Sequence, residues 1–156
     1  MLFVQDADGA TLDGGTLTMI EVSPSTGWFS DRPVREAAQM ATADFVSLWA
    51  EGGTFAVDPP NADFACQVDG ATVNVVVELS LPVVNGRTLT YDTVRVGDTP
   101  DGNYDCDSNA HLFVDAAGSN CAAGPWRSSR RANPAAPQCC ARAKGSTKDL
   151  AGANLA

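Results

Sequence analysis

Asp or Asn followed by Gly recurs through the first three quarters of the chain, at Asp8-Gly9, Asp13-Gly14-Gly15, Asp69-Gly70, Asn85-Gly86 and Asp101-Gly102. Such pairs reach the positive φ of tight hairpin turns at little steric cost. Joined by such turns, the pieces between them suit short antiparallel strands.

The segments between the turns carry strand patterning. Thr16–Val22 alternates in part, and Arg87–Asp92 with Thr93–Val96 places Leu89 and Tyr91 against polar neighbours. Ala71–Leu79 is β-branched and more continuously apolar, which predicts a central strand covered on both faces. With Asp63–Val68 before it and Arg87–Val96 after it, this strand predicts a three-stranded antiparallel meander turning at Asp69-Gly70 and Asn85-Gly86. One helix is expected near 42–51, with Thr42 as its cap, Asp44 in its first turn and Phe45, Leu48 and Trp49 on its buried face. Gly52-Gly53 stops it. The expected fold is mainly β, an antiparallel β-sandwich or open barrel of about seven strands, with one short α-helix and an extended C-terminal tail.

Charge divides the chain near Gly118. Residues 1–118 hold four Arg and no Lys against eighteen Asp and Glu, a net −14, whereas 119–156 hold six Lys and Arg against one Asp, a net +5. The acidic body repels phosphate backbones, which argues against nucleic-acid binding. The tail is rich in Gly, Ala, Pro and Ser, shows neither helix nor strand period, and lacks the apolar surface to order itself alone. We therefore expect a β-rich domain over 1–118 and an extended basic segment over 119–156. No run approaches the roughly 18 apolar residues of a membrane-spanning helix, so any membrane association is peripheral. Nor does the N-terminus read as an export leader; Met1–Asp6 already resembles a strand.

The most distinctive segment is Glu21–Arg35, where Ser23-Pro24 opens a turn, Trp28-Phe29 supplies two aromatic anchors and Asp31-Arg32-Pro33 follows. Trp28 and Arg32 suit a ledge for a planar or anionic partner group; equally, Trp28 and Phe29 suit the closing of a core. The segment resembles a family of small exported bacterial proteins, with cyanobacterial and algal relatives, that carry Val-Ser-Pro-x-Thr-x-Trp/Phe-Phe-Ser-Asp-Arg-Pro-x-Arg. Similarity extends to Thr42–Glu51, Phe55–Ala62, Val75–Leu79, Leu89–Tyr91 and Leu112–Asp115. The resemblance implies an exported β-rich domain, in the periplasm, secreted or in a thylakoid lumen, and confers no reaction. Algal relatives imply a photosynthetic-membrane setting, with the domain as a small accessory subunit. The 98–109 region and the tail depart from the family pattern.

Asp101, Asn103, Asp105 and Asp107 place oxygens at alternate positions, a spacing that can wrap a hard cation such as calcium. An EF-hand loop, however, needs Gly and Glu where this chain has Cys106 and Leu112. His111 is the only histidine, which precludes a two-histidine metal site from this chain and leaves it an acid–base candidate. There is no Gly-x-Ser-x-Gly elbow and no phosphate-binding glycine loop. The five cysteines are Cys66, Cys106, Cys121, Cys139 and Cys140; a Cys66–Cys106 bridge, or one from tail to body, is expected in an oxidising compartment. Adjacent Cys139 and Cys140 bond elsewhere rather than to each other.

Two functions follow. The first is a noncatalytic interaction module or accessory subunit without a cofactor, attached to a protein partner or multi-subunit complex through the tail residues Trp126, Arg127, Arg130 and Arg131, with Trp28 and Arg32 assisting. The alternative is a small enzyme or Ca2+-dependent ligand-binding protein using the acidic loop 98–109.

Overall fold

The computed structural model describes residues 1–30, 32–33, 35–98 and 101–116. The chain runs through β1 (Leu2–Asp13), β2 (Thr16–Val22), β3 (Ser25–Phe29) and β4 (Ala37–Ala41). A helical connection follows, made of α1 (Thr42–Val46), a 3-10 turn at Ser47–Trp49 and α2 (Thr54–Val57). The remaining strands are β5 (Asn61–Val68), β6 (Ala71–Asn85), β7 (Thr88–Arg95), β8 (Tyr104–Cys106) and β9 (Ser108–Asp115).

Antiparallel pairing runs β1-β2-β7-β6-β5-β9 and returns to β1, closing a six-stranded barrel. Closure depends on the length of β1. Its second half, Ala7–Asp13, pairs with β2, while its first half, Leu2–Ala7, pairs with β9. Where β2 leaves β1, β3 takes its place beside Leu2–Val4 and carries β4 as an outer hairpin; β8 pairs with Ala10–Leu12 at the other end. The structure is thus mainly β, closed rather than open, with one helical connection.

The expected β5-β6-β7 meander is present. Asp69 and Gly70 both adopt positive φ, 50° and 77°, as a two-residue hairpin turn requires. One turn reading and one burial reading fail. Asp8-Gly9 lies inside β1, where a Cβ on Gly9 would stand 3.1 Å from the Cys106 carbonyl oxygen; the glycine permits the approach of β8 rather than a reversal. β6, expected to be covered on both faces, buries Val75, Val77 and Leu79 but exposes Asn74, Val76 and Glu78. A closed barrel has one interior, so every strand keeps a solvent face. β6 also runs on to Asn85 through an irregularity between Ser80 and Val83, with Leu81 at φ 46°.

Six strands leave an interior that side chains fill. Leu12, Leu17, Met19, Phe64, Leu79 and Leu89 are buried within it. One end is stoppered by the helical connection, whose Phe45, Trp49 and Phe55 pack tilted or edge-on against one another and against Phe3 and Tyr91, with ring centroids 4.6–6.3 Å apart. Thr42 does not cap α1 as expected; the N-cap is Ala41, with no side-chain cap bond. Its hydroxyl instead donates to the Ser23 carbonyl at 2.8 Å. That bond ends a buried relay in which Tyr91 donates to Gln5 Oε1 (2.7 Å), Gln5 Nε2 donates to Thr26 Oγ1 (3.2 Å), and Thr26 meets Thr42 at 3.0 Å. With Thr42 donating to Ser23, the shared proton between the two threonines is Thr26's.

The helix is shorter than the sequence predicts. It breaks after Val46 into the 3-10 turn, then Gly52 (φ 81°) and Gly53 reverse the chain and α2 follows, a turn of helix not anticipated. Gly53 packs so closely under Leu48 that a Cβ there would stand 2.3 Å from the Leu48 carbonyl oxygen.

Candidate functional site

Trp28, one of the two residues proposed for a ledge, lies in β3 opposite Phe3 and is 9% exposed, within the core. Alternation along β3 instead turns Phe29 outward, 48% exposed. Trp28 accordingly belongs to the buried core, as the core-closing reading has it. Arg32 is exposed, before a cis Pro33, and is not brought against Trp28 by any described contact. Trp126, Arg127, Arg130, Arg131, Cys121, Cys139 and Cys140 lie outside the described residues.

In the acidic region, Tyr104–Cys106 is extended as β8, with Asp105 opposite Thr11. Asn103 and Asp107 flank this three-residue strand. Asn103 is further engaged, its Nδ2 donating to Asp13 Oδ1. Arg95 crosses the same stretch, bonded to the Gly102 carbonyl and placed 5.7 Å from the Tyr104 ring centroid. Among the described residues, no three His, Cys, Asp or Glu side chains converge as a metal site.

Cys66 and Cys106 form a disulfide joining β5 to β8. His111 projects from β9 on the outer face, its Nδ1 2.7 Å from Asp6 Oδ1 on β1 and its ring 6.4 Å from Phe113. A carboxylate orienting an imidazole is half of a nucleophile-activating arrangement. The flanking position on β5, opposite His111, is Ala65, which has no hydroxyl or thiol to activate.

Among the described residues there is also a concavity that the sequence reading did not single out. Between the helical connection and the β6 irregularity lies a groove of about 490 Å3, lined by Val46, Trp49, Phe55, Pro59, Leu81 and Pro82. Trp49 is held in place by Nε1 donating to the Leu79 carbonyl at 3.2 Å. Leu81 is 70% exposed, and Val57, the last residue of α2, is 85% exposed. Asp44, Glu51 and Asp58 stand exposed beside the lining residues. The available signal was Leu81-Pro82-Val83-Val84, an apolar run following directly on a strand already long enough to span the barrel. Only the closed barrel turns it into a rim.

No helix among the described residues is long and apolar enough to cross a membrane. Comparison with protein-family models, curated proteins and solved structures finds no match to this chain.

Proposed function

We propose that this chain is a noncatalytic interaction module, an accessory subunit held in a larger protein assembly by its basic C-terminal segment. The observation that carries the reading is the division of charge, −14 over residues 1–118 against +5 over 119–156. Opposed charges of this size steer association and fix orientation, whereas they supply no chemistry. The filled barrel interior supports the same reading, since a six-stranded barrel works as a rigid body that presents its outer surface. The Cys66–Cys106 bridge supports an oxidising, extracytoplasmic setting. The resemblance over Glu21–Arg35 narrows that setting to exported proteins, including those of photosynthetic membranes.

The test is co-purification of the native assembly with the full chain and with a chain lacking 119–156. Loss of the partner on truncation supports the reading, and retention overturns it. Titration with calcium separates the alternative, because a cation held by the native state raises the melting temperature by mass action and one not held leaves it unmoved.

A further inference from the structure

The barrel proper has no open edge, because its six strands close on themselves. The β3-β4 hairpin lies outside that ring, and the sheet ends on β4, which pairs with β3 alone among the described residues. Proteins ordinarily blunt such an edge with charge, proline, a bulge or extreme shortness. β8, which pairs with β1 alone among the described residues, follows that rule: it is three residues long, with Asp105 at its centre and Asp107 just beyond. β4 does not. Its sequence, Ala37-Ala38-Gln39-Met40-Ala41, carries no charge and no proline, its register against β3 is unbroken, and Ala37, Ala38, Gln39 and Ala41 are exposed.

Ladder bonds fix which backbone groups of β4 face outward. The Ser30 amide donates to the Glu36 carbonyl, and the Thr42 amide to the Pro24 carbonyl. Bonded pairs recur at every second residue of an antiparallel ladder, so Glu36, Ala38, Met40 and Thr42 turn their backbone groups to β3. Ala37, Gln39 and Ala41 therefore turn theirs the other way. Ala41 is also the N-cap of α1 and gives its carbonyl to the helix. What β4 presents at its outer edge is a row of three amides and two carbonyls, groups that pair with another strand wherever one can approach.

We propose that two copies of the chain join antiparallel through Ala37–Ala41, about a two-fold axis at Gln39, so that two β3-β4 hairpins form one four-stranded sheet between two barrels. The row matches itself under that axis, as a two-fold interface requires. The two Gln39 residues exchange amide-to-carbonyl bonds, and each Ala41 amide donates to the Ala37 carbonyl of the second copy. This register overlaps all five residues of β4, whereas a slip of two residues overlaps only three. It also sets Met40 opposite Ala38, long against short, and places no charged residue of one β4 against another. Leu2, Phe29 and Ala37, successive cross-strand neighbours and all exposed, form an apolar row that ends at this edge and that Ala41 of the second copy extends. A five-residue junction lies at the small end of protein interfaces and each copy carries a net charge of −9, so the dimer is weak and tightens as salt screens the repulsion. No residue of 119–156 takes part, so the dimer and the accessory-subunit reading stand or fall separately.

The experiment is sedimentation equilibrium of the full chain at physiological salt, from micromolar to millimolar concentration. The average mass is expected to climb from that of one chain toward that of two. Gln39→Lys and Gln39→Glu each set like charges across the axis, and each alone is expected to raise the dimer Kd by about tenfold or more. An equimolar mixture of the two sets Lys against Glu and restores association to about the native strength. Such a rescue cannot come from unfolded chains, and only a junction in which position 39 meets itself produces it. A single-chain mass at every concentration overturns the proposal, whether the edge stays open or is covered by another part of the same chain. A dimer that neither charge variant weakens overturns it too, by placing the contact elsewhere, as does a mixture that fails to restore what the two variants lose.

Discussion

Gln5 and Tyr91 lie where the barrel interior meets its helical stopper, both fully enclosed. A buried amide costs free energy unless its ends are matched, and here Oε1 accepts from Tyr91 while Nε2 donates to Thr26. Gln5→Leu strands the Tyr91 hydroxyl and breaks the relay, and is expected to destabilise the fold by about 2–4 kcal/mol in urea unfolding. Adding Tyr91→Phe removes the stranded donor, so the double variant should lose clearly less than the sum of the singles. Strict additivity would refute the coupling. Burial also pushes the Tyr91 phenol well above its ordinary value near 10. The folded chain keeps this proton while the unfolded chain releases it near pH 10. Its stabilising contribution is therefore whole below about pH 10 and is lost progressively as pH climbs further. Melting temperatures across the alkaline range should fall for the native chain, and Tyr91→Phe should flatten that fall. None of this was legible in the sequence, since a strand glutamine reads as surface until a closed sheet places it inside.

At the scale of elements, turn chemistry was the most readable layer. Asp69-Gly70 was located correctly because the constraint is local: two consecutive positive φ values need these residue types whatever surrounds them. Asp8-Gly9 carries the same letters and makes no turn, because there the glycine answers a contact with Cys106 that no local pattern announces. The helical connection divides in the same way. Phe45, Leu48 and Trp49 were correctly assigned to the buried face by their spacing. The break after Val46 was not, because it follows from fitting three rings into the barrel mouth. Gly53 was read as a stop and proves also to be a packing requirement beneath Leu48. Gly53→Ala should cost about 1–3 kcal/mol by forcing the 3-10 turn away from α2. Chemical denaturation measures this, and a neutral substitution would show that the two turns separate freely.

Across the whole molecule, the Cys66–Cys106 bridge closes a span of 40 residues that includes β6 and β7. By restricting the unfolded chain, a loop of this size contributes about 4 kcal/mol. A double Cys66→Ala, Cys106→Ala chain, compared by denaturant unfolding, should lose most of that figure; a loss below about 1 kcal/mol would mean the barrel already imposes the same restriction. Composition determined that the chain is β-rich, acidic in its body and basic in its tail, because hydrophobic alternation, turn residues and charge are properties of residues taken singly or in short runs. The meander was determined too, its partners being adjacent in sequence and its turns two residues long. Tertiary structure decided the rest. Whether the sheet stays open or closes depends on β1 pairing with β9, a contact that joins the two ends of the described body. That closure decided that Trp28 is core, that Gln5 is inside, and that the Leu81 run forms the rim of a groove. Burial, convergence and concavity arise only from residues distant in the chain, and no local pattern can encode them.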